Sequence, residues 1–125
     1  MKKRILVLCG GVSKERKISL ETGMEVTKEL KKNKYKVITS EPGNKLLENI
    51  NLYKPDIIFN ALHGQFGEDG YIQTILESQK ISYTHSGILA SSIAMDKEIS
   101  KKIFFKNKIL TPKYIKLNYE KYKKD

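Results

Sequence analysis

The sequence predicts an α/β domain, an open parallel sheet with helices on both faces. Three observations carry that expectation. Short apolar runs at 4–9, 35–39 and 56–60 have strand length, and the segments between them space apolar residues at helical intervals. The first run, Ile5-Leu6-Val7-Leu8-Cys9, is apolar without a break, as a strand buried on both faces of a parallel sheet must be. Two glycine-rich segments, Gly10-Gly11 and His63-Gly64-Gln65-Phe66-Gly67-Glu68-Asp69-Gly70, directly follow the first and third runs. Alternating strands and helical segments build βαβ units with right-handed crossovers. Ligands of such sheets bind beyond the carboxyl ends of the strands, where both glycine-rich segments fall.

After the strand at 4–9, Ile18, Leu20, Met24, Val26 and Leu30 interleaved with charges predict an amphipathic helix ending near Asn33. Residues 35–39 form the second strand. Pro42-Gly43 marks a turn, Leu46, Leu47 and Ile50 a short helix that Pro55 stops, and 56–60 the third strand. Helical spacing resumes at Ile72, Ile75 and Leu76, and Ile81-Ser82-Tyr83-Thr84 is a candidate fourth strand. Residues 88–95 and 97–107 read as two further helices. From Thr111 the character changes: Pro112 breaks the helix, 113–117 alternates polar and apolar residues, and 119–125 is almost all charged or aromatic. The expected domain is 1–117, with 118–125 a ragged charged end.

A chain of 125 residues can form one core that buries about 65% of its unfolded surface. The single cysteine, Cys9, has no partner for an intrachain disulfide and fits a reducing compartment. The apolar stretch behind Met-Lys-Lys-Arg is too short for a signal peptide. No run approaches the roughly 18 to 20 apolar residues that span a bilayer, so the expectation is a cytoplasmic protein with no membrane partner. Lysine and arginine number 24 against 14 acidic residues, a net charge of +10. That charge is spread along the chain, and the abundance of Lys, Ile, Asn and Tyr is what an A+T-rich coding sequence produces. With no motif for base readout, nucleic acid is not the expected partner.

Gly10-Gly11-Val12-Ser13-Lys14-Glu15 lacks the spacing of a dinucleotide fingerprint or a phosphate loop. Its glycines allow a tight turn and close approach to a ligand, Ser13 is placed to cap a helix, and Glu15 projects near the strand ends. Taken alone, the segment reads more plainly as a strand-to-helix turn with a surface carboxylate. His63 stands at the carboxyl end of the third strand, where an imidazole is well placed to contact ligand; the plainer reading is a histidine satisfied by a neighbouring carbonyl. Glu68 and Asp69 are close enough to orient that imidazole or to cap the helix starting near Gly70, and the surrounding glycines favour a ligand-facing loop. His63, His85 and Cys9 lack metal-ligand spacing, so no metal site is expected within the chain. The serines lack the G-x-S-x-G elbow of a hydrolase. Lys97, after Met95-Asp96 at a helix start, is either a phosphate ligand or one surface lysine among many.

Three blocks in this order and spacing resemble D-alanine–D-alanine ligases. Residues 10–20, from Gly10-Gly11-Val12-Ser13-Lys14-Glu15 to Leu20, are similar to that family's first-strand loop, and His63-Gly64-x-x-Gly67-Glu68-Asp69-Gly70-Tyr71-Ile72-Gln73 to its signature. The third block is Tyr83-Thr84-x-Ser86-Gly87 continuing to Ala94-Met95-Asp96-Lys97. Together they cover the domain from 4 to about 111. Thr74, where the signature has a smaller residue, and His85, in place of glycine, depart from the pattern.

The resemblance implies a Rossmann-like pre-ATP-grasp domain of an enzyme that joins two D-alanines for peptidoglycan. ATP phosphorylates the carboxylate of the first, and the amine of the second attacks the acylphosphate. By the same resemblance, Glu15 and His63 are the catalytic pair: Glu15 holds the ammonium of the first D-alanine, with His63 and Ser13 in the same substrate site and Glu68 orienting His63. Lys97 would reach the ATP phosphates. ATP and Mg2+ belong to the full-length enzyme, whose ATP-grasp region lies outside these residues, and the chain alone is expected to hold neither and to be inactive. The implied partners are D-alanine, the ATP-grasp region and a second copy in a homodimer. A stand-alone small-ligand-binding α/β module and a basic nucleic-acid-binding domain are the alternative readings, the latter marked by salt-dependent binding to DNA or RNA.

Overall fold

The computed structural model describes residues 2–118 and Tyr122. Strands β1 (Arg4–Leu8), β2 (Lys36–Ser40) and β3 (Ile57–Asn60) alternate with helices α1 (Arg16–Lys32), α2 (Leu46–Tyr53) and α3 (Tyr71–Ser78), and α4 (Ile88–Met95) and α5 (Lys97–Lys106) follow. The sheet is parallel, in the order β2-β1-β3, with Arg4 opposite Lys36 and Ile5 opposite Ile57. The central place of β1 accounts for its unbroken apolar sequence: Leu6, Val7 and Leu8 are fully buried.

Alternate residues of β1 serve the two faces. Leu6 and Leu8 join Ile58, Leu62, Leu46 and Ile50 of α2 and Ile72 and Leu76 of α3 in one cluster. On the other face Ile5, Val7, Cys9 and Ala61 meet Leu20, Val26 and Leu30 of α1. Each fully buried Leu or Ile contributes about 1.5–3 kcal/mol, so these two layers hold the domain together. Helix α1 rides directly on β1, because Gly23 leaves no more than a hydrogen's width above Cys9; a Cβ there would stand 2.6 Å from Sγ. Burial pushes the Cys9 thiol above its ordinary pKa, reinforced by the Glu41 carboxylate. Helix α2 ends at Lys54, in the left-handed region at φ 48°, directly before Pro55.

The expected fourth strand at 81–84 is a single parallel bridge, Ile58 with Tyr83. Ile58 N–H donates to the Ser82 carbonyl and Thr84 N–H to the Ile58 carbonyl. The next rung fails because the Thr84 side-chain hydroxyl, not its carbonyl, takes the Asn60 N–H at 3.0 Å. His85 then turns the chain away at φ 84°. Along the described chain, no residue after Ser100 is buried. The charged end expected at 118–125 falls mostly outside the described residues. Among those described, no helix is long and apolar enough to cross a membrane.

Candidate functional site

The connection β1-α1-β2 runs to one side of β1 and β3 lies on the other, so the strand order reverses between β1 and β3. Loops at such a switch point part at the carboxyl edge and leave room for a ligand. One stripe of α1 joins the two loops there. Ser13 Oγ donates to the His63 carbonyl at 2.8 Å and accepts the Glu15 N–H at 3.1 Å. Ser19, fully buried, donates to the Ala61 carbonyl at 2.7 Å and accepts the Gly10 N–H at 2.8 Å. Thr22 Oγ1 lies 3.0 Å from His63 Nε2. Glu15, Ser19 and Thr22 are one helical turn apart, which is why a single face of α1 reaches the ends of both strands.

The loops touch at Gly64. Its φ of 70° suits glycine, and the space a Cβ would take is filled by the Glu15 carboxylate. Glu15 is exposed, and among the described residues no hydrogen bond or ion pair uses its carboxylate, so its oxygens are open to a donor on a ligand. Beneath, two buried amides shape the loop: Asn60 Nδ2 and Gln73 Nε2 both donate to the Gly67 carbonyl, at 2.9 and 3.0 Å, and Asn60 Oδ1 accepts the Leu62 N–H. Asp69 accepts the N–H groups of Phe66 and Tyr71, and its carbonyl receives the Ser92 hydroxyl of α4 at 2.7 Å.

Two expected roles are corrected. Glu68 does not hold the His63 imidazole; Glu68 Oε2 accepts the Gly64 N–H at 2.7 Å, and the imidazole is met by Thr22 instead. Ser13 does not cap α1 as a residue on its N-cap would. That position is Glu15, and the Ser13 hydroxyl ties the loop to β3 through the His63 carbonyl. The structure therefore gathers Ser13, Glu15, His63 and Glu68 around Gly64. Lys97 stands apart as the exposed first residue of α5, behind Asp96, which caps that helix by accepting the Glu98 and Ile99 N–H groups. Thr74 bonds back to the Gly70 carbonyl within α3.

A cavity of about 610 Å³ opens beside this cluster, between Val12, Pro42 and Leu47 on one side and Leu62, His63 and Phe66 on the other. Ser13 and His63 line it, whereas Glu15 and Gly64 do not. Its size is that of a small-molecule site. Sequence reasoning missed Ser19, Thr22 and Glu41. The first two are betrayed only by polar residues recurring on the inner stripe of an amphipathic helix. Glu41 accepts the Gly11 N–H and pairs with Arg16, contacts that hold its carboxyl below the usual range.

An open α/β domain with a polar cluster at its switch point and a cavity beside it has the architecture in which α/β domains receive small ligands. A family model described as D-ala D-ala ligase N-terminus matches residues 39–86, which include the second glycine-rich loop. The D-alanine–D-alanine ligase of Pelagibacter ubique is 72% identical over 123 residues, 98% of this chain and 40% of that protein. That of a Ruegeria species is 50% identical over 98 residues, 78% of this chain and 32% of the relative. Among solved structures, a D-alanine–D-alanine ligase from Bacillus anthracis complexed with ATP superposes with a TM-score of 0.77 at 42% identity, over 98% of this chain and 44% of that one. The chain belongs to the D-alanine–D-alanine ligase family and corresponds to its amino-terminal domain. It spans 40% of the length of the Pelagibacter relative.

Proposed function

We propose that this domain supplies the first D-alanine subsite of an ATP-dependent D-alanine–D-alanine ligase acting in peptidoglycan synthesis. The observation that carries the reading is the open Glu15 carboxylate seated on Gly64 beside His63. An ammonium placed there gains a charge-assisted hydrogen bond and is fixed in position, which favours an amino acid over a plain acid. Ser13 acts by holding the loop, and Glu68 by fixing the Gly64 N–H, while His63, steadied by Thr22, presents its ring beside the ligand. Lys97 is assigned to the ATP phosphates as a point charge carried on α5.

In this reading ATP and Mg2+ belong to the ATP-grasp region. Among the described residues no group of three or more His, Cys, Asp or Glu is placed to hold a metal ion. The reading also places the protein in the cytoplasm and gives it a homodimeric partner. Support for a partner comes from apolar side chains left exposed on and after α4, among them Leu89, Phe105, Ile109 and Leu110. A purified chain that stays monomeric by light scattering at high concentration would remove that part.

The test joins this chain to the Pelagibacter ligase in place of the matching amino-terminal part and follows ADP release and dipeptide formation with ATP, magnesium and D-alanine. The chimera ligates; the 125-residue chain alone does not. Glu15→Gln in the chimera costs roughly 2–5 kcal/mol of productive D-alanine binding. Unchanged D-alanine kinetics in that variant would reject the role of Glu15, and turnover by the chain alone would overturn the division of labour.

A further inference from the structure

We propose that Glu41 is a positioning residue for Glu15: one carboxylate ties both ends of the β1–α1 loop to the β2–α2 loop and so keeps Glu15 against Gly64. The inference rests on the substrate role given to Glu15. At the start of the loop Glu41 Oε2 accepts the Gly11 N–H at 3.1 Å. At its end the same carboxylate receives Arg16 Nη2 on Oε1 at 2.7 Å and Arg16 Nε on Oε2 at 3.3 Å. Two parallel bonds from a planar fork fix direction as well as distance. Arg16 is the first residue of α1 and is bonded through the backbone to Glu15, so its orientation sets that of the first turn. The carboxylate also lies flat on the loop: a Cβ on Gly10, whose φ is 86°, would stand 2.6 Å from the Glu41 carboxyl carbon. Nothing bulkier than glycine admits this contact.

The pair is about half exposed, at 50% for Arg16 and 47% for Glu41, where an ion pair adds little to overall stability. Its effect is therefore local geometry. Glu41→Gln keeps an oxygen for the Gly11 N–H and removes the charge that Arg16 needs; Arg16→Lys keeps a charge and removes the fork. In the chimera both variants raise the KM for D-alanine about fivefold or more while leaving kcat and the KM for ATP within about twofold. Their melting temperatures stay within about 4 °C of the parent. In amide spectra of the 125-residue chain, the Glu15 and Gly64 resonances shift in both variants, and those of β3 and α5 do not. A merely structural pair would change the Gly11 neighbourhood and leave Gly64 in place.

The two readings separate cleanly. If Glu15→Gln leaves D-alanine kinetics intact while Gly64 shifts in Glu41→Gln, the substrate role of Glu15 fails and the positioning stands. An unmoved Gly64 resonance, or an unmoved KM for D-alanine in a chimera that Glu15→Gln disables, overturns the positioning.

Discussion

Replacing Asn60 by alanine tests whether one buried amide organises the loop that carries His63 and Glu68. Asn60 is fully buried at the end of β3. Its Nδ2 donates to the Gly67 carbonyl at 2.9 Å and its Oδ1 accepts the Leu62 N–H at 3.1 Å. In the variant the Gly67 carbonyl keeps the Gln73 amide, so its loss is that of one ordinary hydrogen bond, about 1 kcal/mol. The Leu62 N–H, buried with its residue, is left without a partner, at a cost of about 2 kcal/mol. The sum is about 3 kcal/mol, and with about 2.1 cal/mol/K of unfolding entropy per residue over 125 residues the midpoint falls by about 11 °C. Circular dichroism against temperature and urea measures both quantities. Asn60→Asp retains the acceptor for Leu62 but sets an oxygen against the Gly67 carbonyl and buries a charge, so it is at least as unstable at neutral pH and recovers as acid protonates it. A loss below about 1 kcal/mol for Asn60→Ala would refute the argument that this amide holds the loop.

His85 occupies the left-handed region at φ 84°, and its Nδ1 stands 3.4 Å from Asn60 Nδ2, a long contact. His85→Gly relieves the backbone and raises stability by about 0.5–1 kcal/mol in urea unfolding; destabilisation would mean that the imidazole contact outweighs the strain. Glu98 receives Lys102 Nζ at 2.7 Å and Lys116 Nζ at 2.6 Å, and these bonds hold its carboxyl down to about 2 from an ordinary 4.5. A depressed folded-state pKa stabilises fully above the unfolded value and is lost as pH falls through the folded one, so Glu98→Gln flattens the loss of stability between pH 4.5 and 2. Parallel acid-unfolding curves for parent and variant in that window would contradict the pairing.

Apolar runs, helical spacing and turn residues place the three strands and five helices of the described residues, because β1 is buried on both faces and α1, α2 and α3 each turn an apolar stripe to the sheet. The fourth strand was not legible as a lone bridge. Its ladder ends on a competition between the Thr84 hydroxyl and carbonyl for one N–H, which no residue pattern records. The site divides the same way. Glycines and polar groups after apolar runs mark the two loops, the family resemblance selects Ser13, Glu15, His63 and Glu68 within them, and all four lie around Gly64. Which of them touch is a matter of register: Glu68 reaches a backbone N–H four residues back, while the imidazole meets Thr22, 41 residues away in sequence. Glu41 gives no signal, since a carboxylate beside Pro42 looks like any turn residue until β2 is laid against β1.

The strand order explains why the β1–α1 loop can be held so firmly with so little buried surface. Because β1 is central, its loop has neighbours on both sides: Glu41 at the end of β2 and the His63–Gly64 segment at the end of β3. Glu41 grips the loop at Gly11 and Arg16, Ser13 ties its middle to the His63 carbonyl, and Glu15 closes onto Gly64. An edge strand could offer contacts from one side only. Each of these bonds contributes about 1 kcal/mol or less to folding, yet together they hold both ends and the middle of the loop that carries Glu15. A carboxylate fixed before a ligand arrives spends none of the binding energy on its own ordering, so under the proposed role of Glu15 the same weak, half-exposed contacts that scarcely affect stability would set how tightly an ammonium is held.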